Sequence, residues 1–243
     1  MSAGEKSREQ VPEAQRRQVR SYVRREGRLT RGQRRALEES WDAYGLDLPA
    51  KNAGEGAPDF ARAFGRAAPL HLEIGFGDGD ALLEMAAANP HCNFLGAEVH
   101  RPGVGRLLRR IKEQNINNIR VFCDDAVEVL SRAIADRALA AVYLYFPDPW
   151  PKKRHHKRRL VQPKFAALLA AKLAAGGGLH FATDIRAYAE HALECFDAAA
   201  DLENPAGAGN FSPRPPQRPL TKFERRGEKL GHGVWDLVMW KVG

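Results

Sequence analysis

The 243-residue sequence contains few cysteines and no long apolar run. Its cysteines, Cys92, Cys123 and Cys195, are three in number and include no C-x-x-C pair. This usage argues against a disulfide framework or a metal site and is typical of a reducing cytoplasm. No run approaches the ~18 apolar residues that span a bilayer, and residues 1–30 contain no apolar stretch typical of a secretory signal. We therefore expect a cytoplasmic protein without a membrane partner.

Positive charge is in excess and is concentrated near the N-terminus. The net charge is +8, from 38 lysines and arginines against 30 acids. Residues 16–35 contain nine arginines and one acid, Glu26, so this segment alone accounts for the whole excess. A basic protein favours a polyanionic partner. We predict an Arg-rich arm at residues 1–44, mobile when no partner is bound, followed by a folded domain at 45–243.

The central part of the chain alternates short apolar runs with helical patterns. Candidate strands lie at 70–74, 93–99, 119–123, 140–146 and 179–183, and helical patterns lie near 80–88, 103–114, 126–135, 161–174 and 186–200. This alternation predicts an α/β fold with a mainly parallel sheet that is covered by helices on both faces. The run of three glycines at 176–178 is predicted to end a helix.

The flanking regions are predicted to be less regular. Residues 45–69 contain several glycines and prolines and are predicted to form a linker or an irregular packing segment. The proline-rich residues 203–220 are expected to form a long loop, because no helix or central strand tolerates that density of proline. A helix at 221–230 and a strand at 234–242 complete the prediction.

A glycine loop follows the first strand of the central region. Gly75, Gly77 and Gly79 form G-x-G-x-G at a predicted strand-to-helix turn, where nucleotide-like ligands bind in doubly wound sheets. The third glycine comes one residue earlier than in dinucleotide-binding loops. Glu73 precedes the loop, where a carboxylate would repel a pyrophosphate but suits the cationic end of S-adenosyl-L-methionine. The alternative is a tight turn without a ligand.

Two further acids follow the next two strands. Glu98 ends the second candidate strand, from where a carboxylate accepts both ribose hydroxyls of a nucleoside. Asp125 follows the third strand, where it could accept from an adenine amine. The alternatives are a surface acid for Glu98 and a helix N-cap for Asp125. Three acids at successive strand ends favour a cofactor site.

A proline-rich loop and a run of cations follow the fourth strand. The Asp148 loop, residues 146–151 with sequence FPDPWP, contains three prolines that restrict Asp148 and Trp150. Trp150 is predicted either to stack on a base or to pack within the loop. The basic run, residues 152–159 with sequence KKRHHKRR, is either a solvated face or a phosphate-binding surface, and its place beside the loop favours the latter. His155 and His156 lack companions at metal-ligand spacing.

These motifs together resemble the bacterial tRNA (guanine-N7-)-methyltransferase family. The resemblance covers roughly residues 20–243 and is carried by residues 72–77 (LEIGFG), 96–100 (GAEVH), 125–129 (DAVEV), 146–150 (FPDPW), 182–184 (ATD), 221–224 (TKFE) and 231–236 (GHGVWD). Pro151 departs from the histidine expected at its position. The resemblance implies a Rossmann-like class I methyltransferase fold with a seven-stranded sheet, and transfer of a methyl group from S-adenosyl-L-methionine to N7 of the variable-loop guanine at tRNA position 46.

The resemblance also implies a set of site residues. Asp148 is the catalytic residue, and the cofactor is bound by Glu73, Gly75, Gly77, Gly79, Glu98, Asp125 and Asp148. Substrate is bound by Lys152, Asp184, Thr221, Lys222, Phe223 and Glu224. RNA is contacted by Arg154, His155, His156, Lys157, Arg158 and Arg159, and the arm is expected to order over tRNA or the cofactor. No metal is expected, and the protein is expected to be a monomer or a homodimer.

Alternative functions remain open at the level of sequence. Asp184 could cap the helix that follows it instead of orienting a purine. A methyltransferase of this type could act on another RNA base position or on an exocyclic amine, since DPW is similar to the loop of amino-methyltransferases. More distant alternatives are a nicotinamide-dependent oxidoreductase and a non-catalytic RNA-binding protein.

Overall fold

A computed structural model describes residues 27–50, 58–222, 224–225 and 233–243. Six arginines of the predicted arm, at 8, 16, 17, 20, 24 and 25, lie outside these residues, as does Phe223. Of the helix predicted at 221–230, only four residues are described, and three of them, at 222, 224 and 225, are helical.

The described strands form one mixed sheet. They are β1 (Gly45–Leu46), β2 (Leu70–Ile74), β3 (Asn93–Ala97), β4 (Ile119–Phe122), β5 (Leu139–Tyr145), β6 (Leu173–Thr183), β7 (Leu202–Glu203) and β8 (Trp235–Lys241). Their order in the sheet is β1-β4-β3-β2-β5-β6-β8-β7. β1 to β6 are parallel, and β8 runs antiparallel to both β6 and β7. The predicted mainly parallel sheet is confirmed.

The strand count and the role of the glycine run differ from the prediction. The sheet has eight strands among the described residues, whereas the family resemblance implies seven. Six of the eight correspond to strands predicted from the sequence, and β1 and β7 are two-residue edge strands too short for a periodic pattern. The glycines at 176–178 do not end a helix. They lie inside β6, where Leu139 pairs with Leu173 but Ala141 pairs with Gly178, so the extra residues bulge out of register. Gly176 has φ 71° there, a conformation that favours glycine.

Helices cover both faces of the sheet, as predicted. They are α1 (Arg31–Tyr44), α2 (Phe60–Phe64), α3 (Asp80–Ala88), α4 (Arg101–Glu113), α5 (Ala126–Arg132), α6 (Pro163–Lys172) and α7 (Arg186–Asp197). One hydrophobic cluster joins one face to α5, α6 and α7, and a second joins the other face to α1, α3 and α4. Every helix in the described ranges is too short or too polar to cross a membrane.

Residues 31–44 of the predicted arm form helix α1, which contacts the α/β fold. Thr30 caps α1 in a capping box, because its side chain accepts from the Gln33 amide and Gln33 accepts from the Thr30 amide. α1 packs closely on α4 at Gly105, where a Cβ would lie 2.7 Å from the Gln33 carbonyl oxygen. The domain boundary at residue 44 stays a prediction.

Of the two alternatives predicted for residues 45–69, the linker is wrong for the parts that the structure describes. These parts contain β1, which pairs with β4, and α2, which is held against the sheet by the β4 residue Arg120. Its Nε donates to the Ala63 carbonyl at 3.0 Å, and its guanidinium lies 4.9 Å from the Phe64 ring centroid. Contacts between residues far apart in sequence therefore order a segment that local composition marks as irregular.

Candidate active site

The parallel strands end at one edge of the sheet, and the predicted site lies there. Ile74 pairs with Ala97, Ala97 with Phe122, and Tyr145 with Ala182, so the carboxyl ends of β2 to β6 are level. In doubly wound sheets this edge is where ligands bind.

The glycine loop is shaped by backbone conformation and by contacts with Glu98. Gly75, Gly77 and Gly79 have φ values of 70°, 57° and 78°, in the left-handed region that favours glycine. The Gly77 amide donates to Glu98 Oε2, and the His100 amide donates to Glu98 Oε1, each at 2.9 Å. Glu98 therefore fixes the loop as well as facing the edge of the sheet where a ribose is expected.

Glu73 is the most perturbed acid of this edge. It is 3% exposed, and its Oε2 has no hydrogen-bond partner among the described residues. Burial, followed by repulsion from Glu98 and Asp80, raises the pKa of Glu73 to about 8. A buried, unpartnered carboxyl oxygen is costly unless a ligand supplies a donor. Perturbed acids in a cavity are characteristic of functional sites.

A small cavity adjoins Glu73. It is lined by Glu73, Gly75, Phe76, Gly77, Asp78, Asp80, Ala81, Tyr145, Phe146, Thr221 and Lys222. Thr221 and Lys222 of the TKFE segment (residues 221–224) therefore line this cavity together with residues of the glycine loop. Lys222 Nζ donates to Asp78 Oδ2 at 2.6 Å, and Arg106 lies 3.2 Å from the same oxygen. Burial alone would raise the pKa of Asp78, but the hydrogen bond and charge of Lys222, with Arg106, lower it overall.

The remaining predicted acids, Asp125 and Asp184, lie at the same edge of the sheet, where the parallel strands end. Asp125 is the N-cap of α5, because its Oδ1 accepts from the Val127 and Glu128 amides. Both bonds use Oδ1, so the capping alternative is compatible with a ligand on Oδ2. Asp184 follows β6 directly and is half-buried. It does not cap α7, whose N-cap is Ile185 without a side-chain cap.

The Asp148 loop has an unusual backbone. Phe146 and Trp150 adopt φ values of 51° and 44°, which for bulky residues cost on the order of 1–3 kcal/mol each. Such strain persists only where neighbours impose it, and it concentrates at functional sites. Asp148 lies between them, exposed to solvent, two residues from the cavity-lining Phe146.

The basic run divides into outward-facing and inward-facing parts. Lys153–Arg158 forms a 3₁₀ helix that starts after the exposed Lys152. Arg154 and Lys157 are exposed, whereas His155 and His156 are half-buried. The His155 ring meets Trp150 edge-on with centroids 5.8 Å apart. Desolvation, followed by the charges of Arg154, Arg158 and two lysines, lowers the pKa of His155, which favours its neutral form.

The last two arginines of the run occupy different environments. The Arg158 guanidinium lies over the Trp150 ring, 4.9 Å from its centroid, and its side chain is half-buried. Arg159 is only 3% exposed, and its guanidinium donates to backbone carbonyls. A buried guanidinium engaged by carbonyl groups is poorly placed to reach a phosphate, unlike the exposed cations of the run, and the RNA contact expected for Arg159 stays a prediction.

Comparison with known proteins identifies the family. A family model described as "Putative methyltransferase" matches residues 67–237. A tRNA (guanine-N(7)-)-methyltransferase from Alcanivorax borkumensis is 58% identical over 225 residues, which are 93% of this chain and 92% of the relative. The protein of the same name from Pseudomonas aeruginosa is 54% identical over 226 residues, 93% and 91% of the two chains. The chain belongs to the tRNA (guanine-N(7)-)-methyltransferase family.

Solved structures agree with the fold of this family. The 16S rRNA methyltransferase KamB has a TM-score of 0.58 at 13% identity, over 82% of this chain and 100% of KamB. The antibiotic-resistance methyltransferase Kmr has a TM-score of 0.53 at 13% identity, over 82% of this chain and 99% of Kmr. At such low identity the similarity shows the class I methyltransferase fold alone.

In this tRNA (guanine-N(7)-)-methyltransferase family member, Glu224 of the TKFE segment forms a buried ion pair with Arg218. Glu224 is 3% exposed, and both of its oxygens accept from the Arg218 guanidinium, at 2.6 and 2.7 Å. Burial would raise the pKa of Glu224, but the hydrogen bonds and charges of Arg218 and Arg214 lower it overall. Thr221 Oγ1 accepts from the Glu224 amide at 3.2 Å. Thr221 and Lys222, rather than the Glu224 carboxylate, line the cavity.

The Arg218–Glu224 ion pair is connected to the sheet through Asp236 in β8. Arg218 Nε lies 2.8 Å from Asp236 Oδ1, and the same oxygen is 2.7 Å from His180 Nε2. His180 Nδ1 in turn lies 3.1 Å from the hydroxyl of Tyr145, a residue of the cavity wall. Sequence reasoning missed Arg218, Asp236 and Tyr145, because they lie in a proline-rich stretch and in strands whose patterns indicate only packing.

Proposed function

We propose that this protein transfers a methyl group from S-adenosyl-L-methionine to N7 of the variable-loop guanine, position 46, of tRNA in the cytoplasm. The supporting observation is the buried Glu73 Oε2, which has no partner among the described residues and lies on a cavity at the glycine loop. The curated relatives carry the name of this activity.

The residues at the strand ends fit this cofactor. The cofactor carries an ammonium group, a ribose with two hydroxyls and an adenine amine, and it supplies an electrophilic methyl group on a sulfonium. Glu73 is placed to accept from the ammonium, Glu98 from the ribose and Asp125 from the adenine. The three glycines of the loop let the backbone approach without a Cβ. Because the acids Glu73, Asp78 and Asp80 line the cavity, a pyrophosphate is disfavoured there.

The chemistry of guanine N7 demands positioning more than proton transfer. N7 has a lone pair in the ring plane and carries no proton, so its methylation needs no general base. The purine becomes cationic as the bond forms. Asp148 is proposed to accept from the N–H edge of the guanine and to stabilise the developing charge, and Asp184 on the next strand end shares this task.

The exposed cations beside the Asp148 loop provide the RNA surface. Lys152, Arg154 and Lys157 are exposed, and Arg158 is half-buried over Trp150. Phosphate contacts fix the position of an RNA without reading its sequence. The basic run would therefore hold the tRNA backbone next to the loop that orients the base.

The catalytic assignment is tested by substitution of Asp148. Asp148→Ala is expected to lower methyl transfer to unmodified tRNA by about 10²-fold or more, the size typical for removal of one preorganised electrostatic group. Affinity for S-adenosyl-L-methionine, measured by calorimetry, should change much less. Asp148→Asn keeps the shape of the side chain without its charge. Its rate of methyl transfer should lie between those of the wild type and Asp148→Ala. Wild-type turnover in Asp148→Ala would exclude the assignment.

The modified atom is identified by digesting the methylated tRNA to nucleosides and analysing them by mass spectrometry. The expected product is 7-methylguanosine, which is absent when position 46 is not a guanine. An N2- or N6-methylated nucleoside would instead indicate an exocyclic amine as the acceptor. No methyl transfer to any tRNA would overturn the proposed function.

A further inference from the structure

Arg159 connects the Asp148 loop to helix α7. Its Nε donates to the Pro149 carbonyl at 3.0 Å, and its Nη1 donates to the Ala187 carbonyl in α7 at 2.9 Å. The guanidinium also lies over the Tyr188 ring, 4.9 Å from its centroid, and its Nη2 lies 3.3 Å from His156 Nε2. One buried side chain thus joins three parts of the chain.

The loop that Arg159 holds does not adopt a relaxed backbone. Left-handed conformations at Phe146 and Trp150 bracket the two prolines on either side of Asp148. A strained loop keeps its shape only if its neighbours oppose relaxation. The hydrogen bond from the Phe146 amide to the Ala182 carbonyl secures one end of the loop, and the bond from Arg159 to Pro149 secures the other.

We infer that Arg159 is a positioning residue: it holds Pro149, and through it Asp148, against α7, and it does not bind RNA. The inference rests on the proposed function, in which Asp148 orients the guanine. A guanidinium suits this role because its planar fork can donate to two carbonyls at once while stacking on an aromatic ring. The single ammonium of lysine cannot reproduce that geometry.

The neighbouring Arg158 provides a matched control. The two residues are adjacent and carry the same charge, but the Arg158 guanidinium lies over Trp150 at the surface of the loop. Arg158 is therefore the residue whose charge is available to RNA phosphates. If the basic run were a uniform patch, substitution of either arginine would have the same effect.

The experiment compares Arg159→Lys with Arg158→Ala. Arg159→Lys keeps the charge, so the tRNA Kd and its salt dependence should stay unchanged, while kcat falls by about 10²-fold, as expected for a displacement of about 1 Å at the reacting groups. Arg158→Ala should weaken tRNA binding and lower the slope of log K against log salt by about 1. Amide hydrogen exchange at Asp148 and Trp150, the two residues of the 147–151 stretch that carry a backbone N–H, should accelerate in Arg159→Lys but not in Arg158→Ala.

Several results would overturn the inference. Wild-type kcat in Arg159→Lys, or a salt slope lowered in Arg159→Ala as in Arg158→Ala, would return Arg159 to the RNA surface. A merely stabilising role would lower the unfolding temperature of Arg159→Lys without changing kcat per folded molecule or exchange in the loop. If Arg159→Lys does not fold, Pro149→Gly loosens the same loop while every cation and the residue-149 carbonyl are kept. A wild-type kcat there would show that turnover does not depend on a rigid Asp148 loop, which would refute the positioning role of Arg159.

The outcome is separable from that of the proposed function. Methyl transfer by the wild-type protein decides the proposed function on its own. Hydrogen exchange in the loop and the salt dependence of tRNA binding need no turnover, so they report on Arg159 even if the acceptor proves to be a different base.

Discussion

Glu73 is a carboxylic acid buried among other acids, and its protonation follows from that environment. Burial, with Glu98 and Asp80 nearby, raises its pKa from 4.5 to about 8. The protein without its cofactor therefore holds a proton on Glu73 at neutral pH. A ligand ammonium placed against the carboxyl would favour the ionised form, so we expect binding of the proposed cofactor to be coupled to proton release.

This shift makes stability depend on pH in a defined direction. Between pH 4.5 and about 8 the folded protein retains a proton that the unfolded chain loses, so the free energy of unfolding falls as pH rises, by up to about 1.4 kcal/mol per pH unit. Glu73→Gln removes this contribution and should become more stable than the wild type toward pH 8. Urea unfolding of both proteins from pH 5 to 8 measures the difference. Parallel curves would contradict the raised pKa.

At the same scale, the acids of the rim could be identified from the sequence but their contacts could not. Glu73 lies near the end of β2, whereas Glu98 and Asp125 come after β3 and β4, and the carboxyl ends of parallel strands share one edge. The bond from the Gly77 amide to Glu98 depends on the fold of the loop. So does the absence of a hydrogen-bond partner for Glu73 Oε2 among the described residues. Neither leaves a local pattern.

Among the elements, the proline-rich stretch before the TKFE segment has a structural function that its composition hides. Ser212 pairs with Asp236 at the margin of β8, and Arg218 is buried between Glu224 and Asp236. The prediction of a long loop described the backbone correctly over most of this stretch. It missed that one residue of the loop, Arg218, is a buried cation that ties the segment to the sheet.

Removal of Arg218 should be costly, because it takes away the buried cation that the carboxylates of Glu224 and Asp236 share. Arg218→Met is expected to lower the free energy of unfolding by about 3–5 kcal/mol, the size typical of breaking a buried pair. Arg214 also contacts Glu224, but its side chain is 40% exposed. Arg214→Met should therefore cost about 1 kcal/mol or less. Equal decreases in stability in chemical denaturation would show that burial does not distinguish the two arginines.

In the molecule as a whole, the excess of positive charge is concentrated near the N-terminus rather than spread over the α/β fold. The net excess of the chain equals that of residues 16–35, and the described part of that segment leads into α1. α1 buries Ala36 and Ser40 against the α/β fold, with exposed arginines at 31, 34 and 35 on its outer side. The helix thus connects an Arg-rich segment to the site through α4, whose Arg106 reaches Asp78.

Two truncations separate these contributions. Deletion of residues 1–26 removes arginines without touching α1, so it should weaken tRNA binding and lower its salt slope by about 1 for each phosphate that the arm neutralises. Cofactor affinity and the unfolding temperature should stay near wild type. Deletion of residues 1–44 also removes α1 and should lower the unfolding temperature, because it exposes the apolar face of α4. Unchanged tRNA affinity after the shorter deletion would exclude a role for the arm.

What the sequence by itself determined was the order of the main strands and helices and the acids at their ends. The predicted bounds of β2 and α3 match those observed, because apolar periodicity and glycine turns act over a few neighbouring residues. Only the tertiary structure decided which charges are buried. Arg158 and Arg159 are equivalent in the sequence of the basic run. Their surroundings differ because Pro149, Ala187 and Tyr188, brought together by folding, contact the Arg159 guanidinium and not that of Arg158.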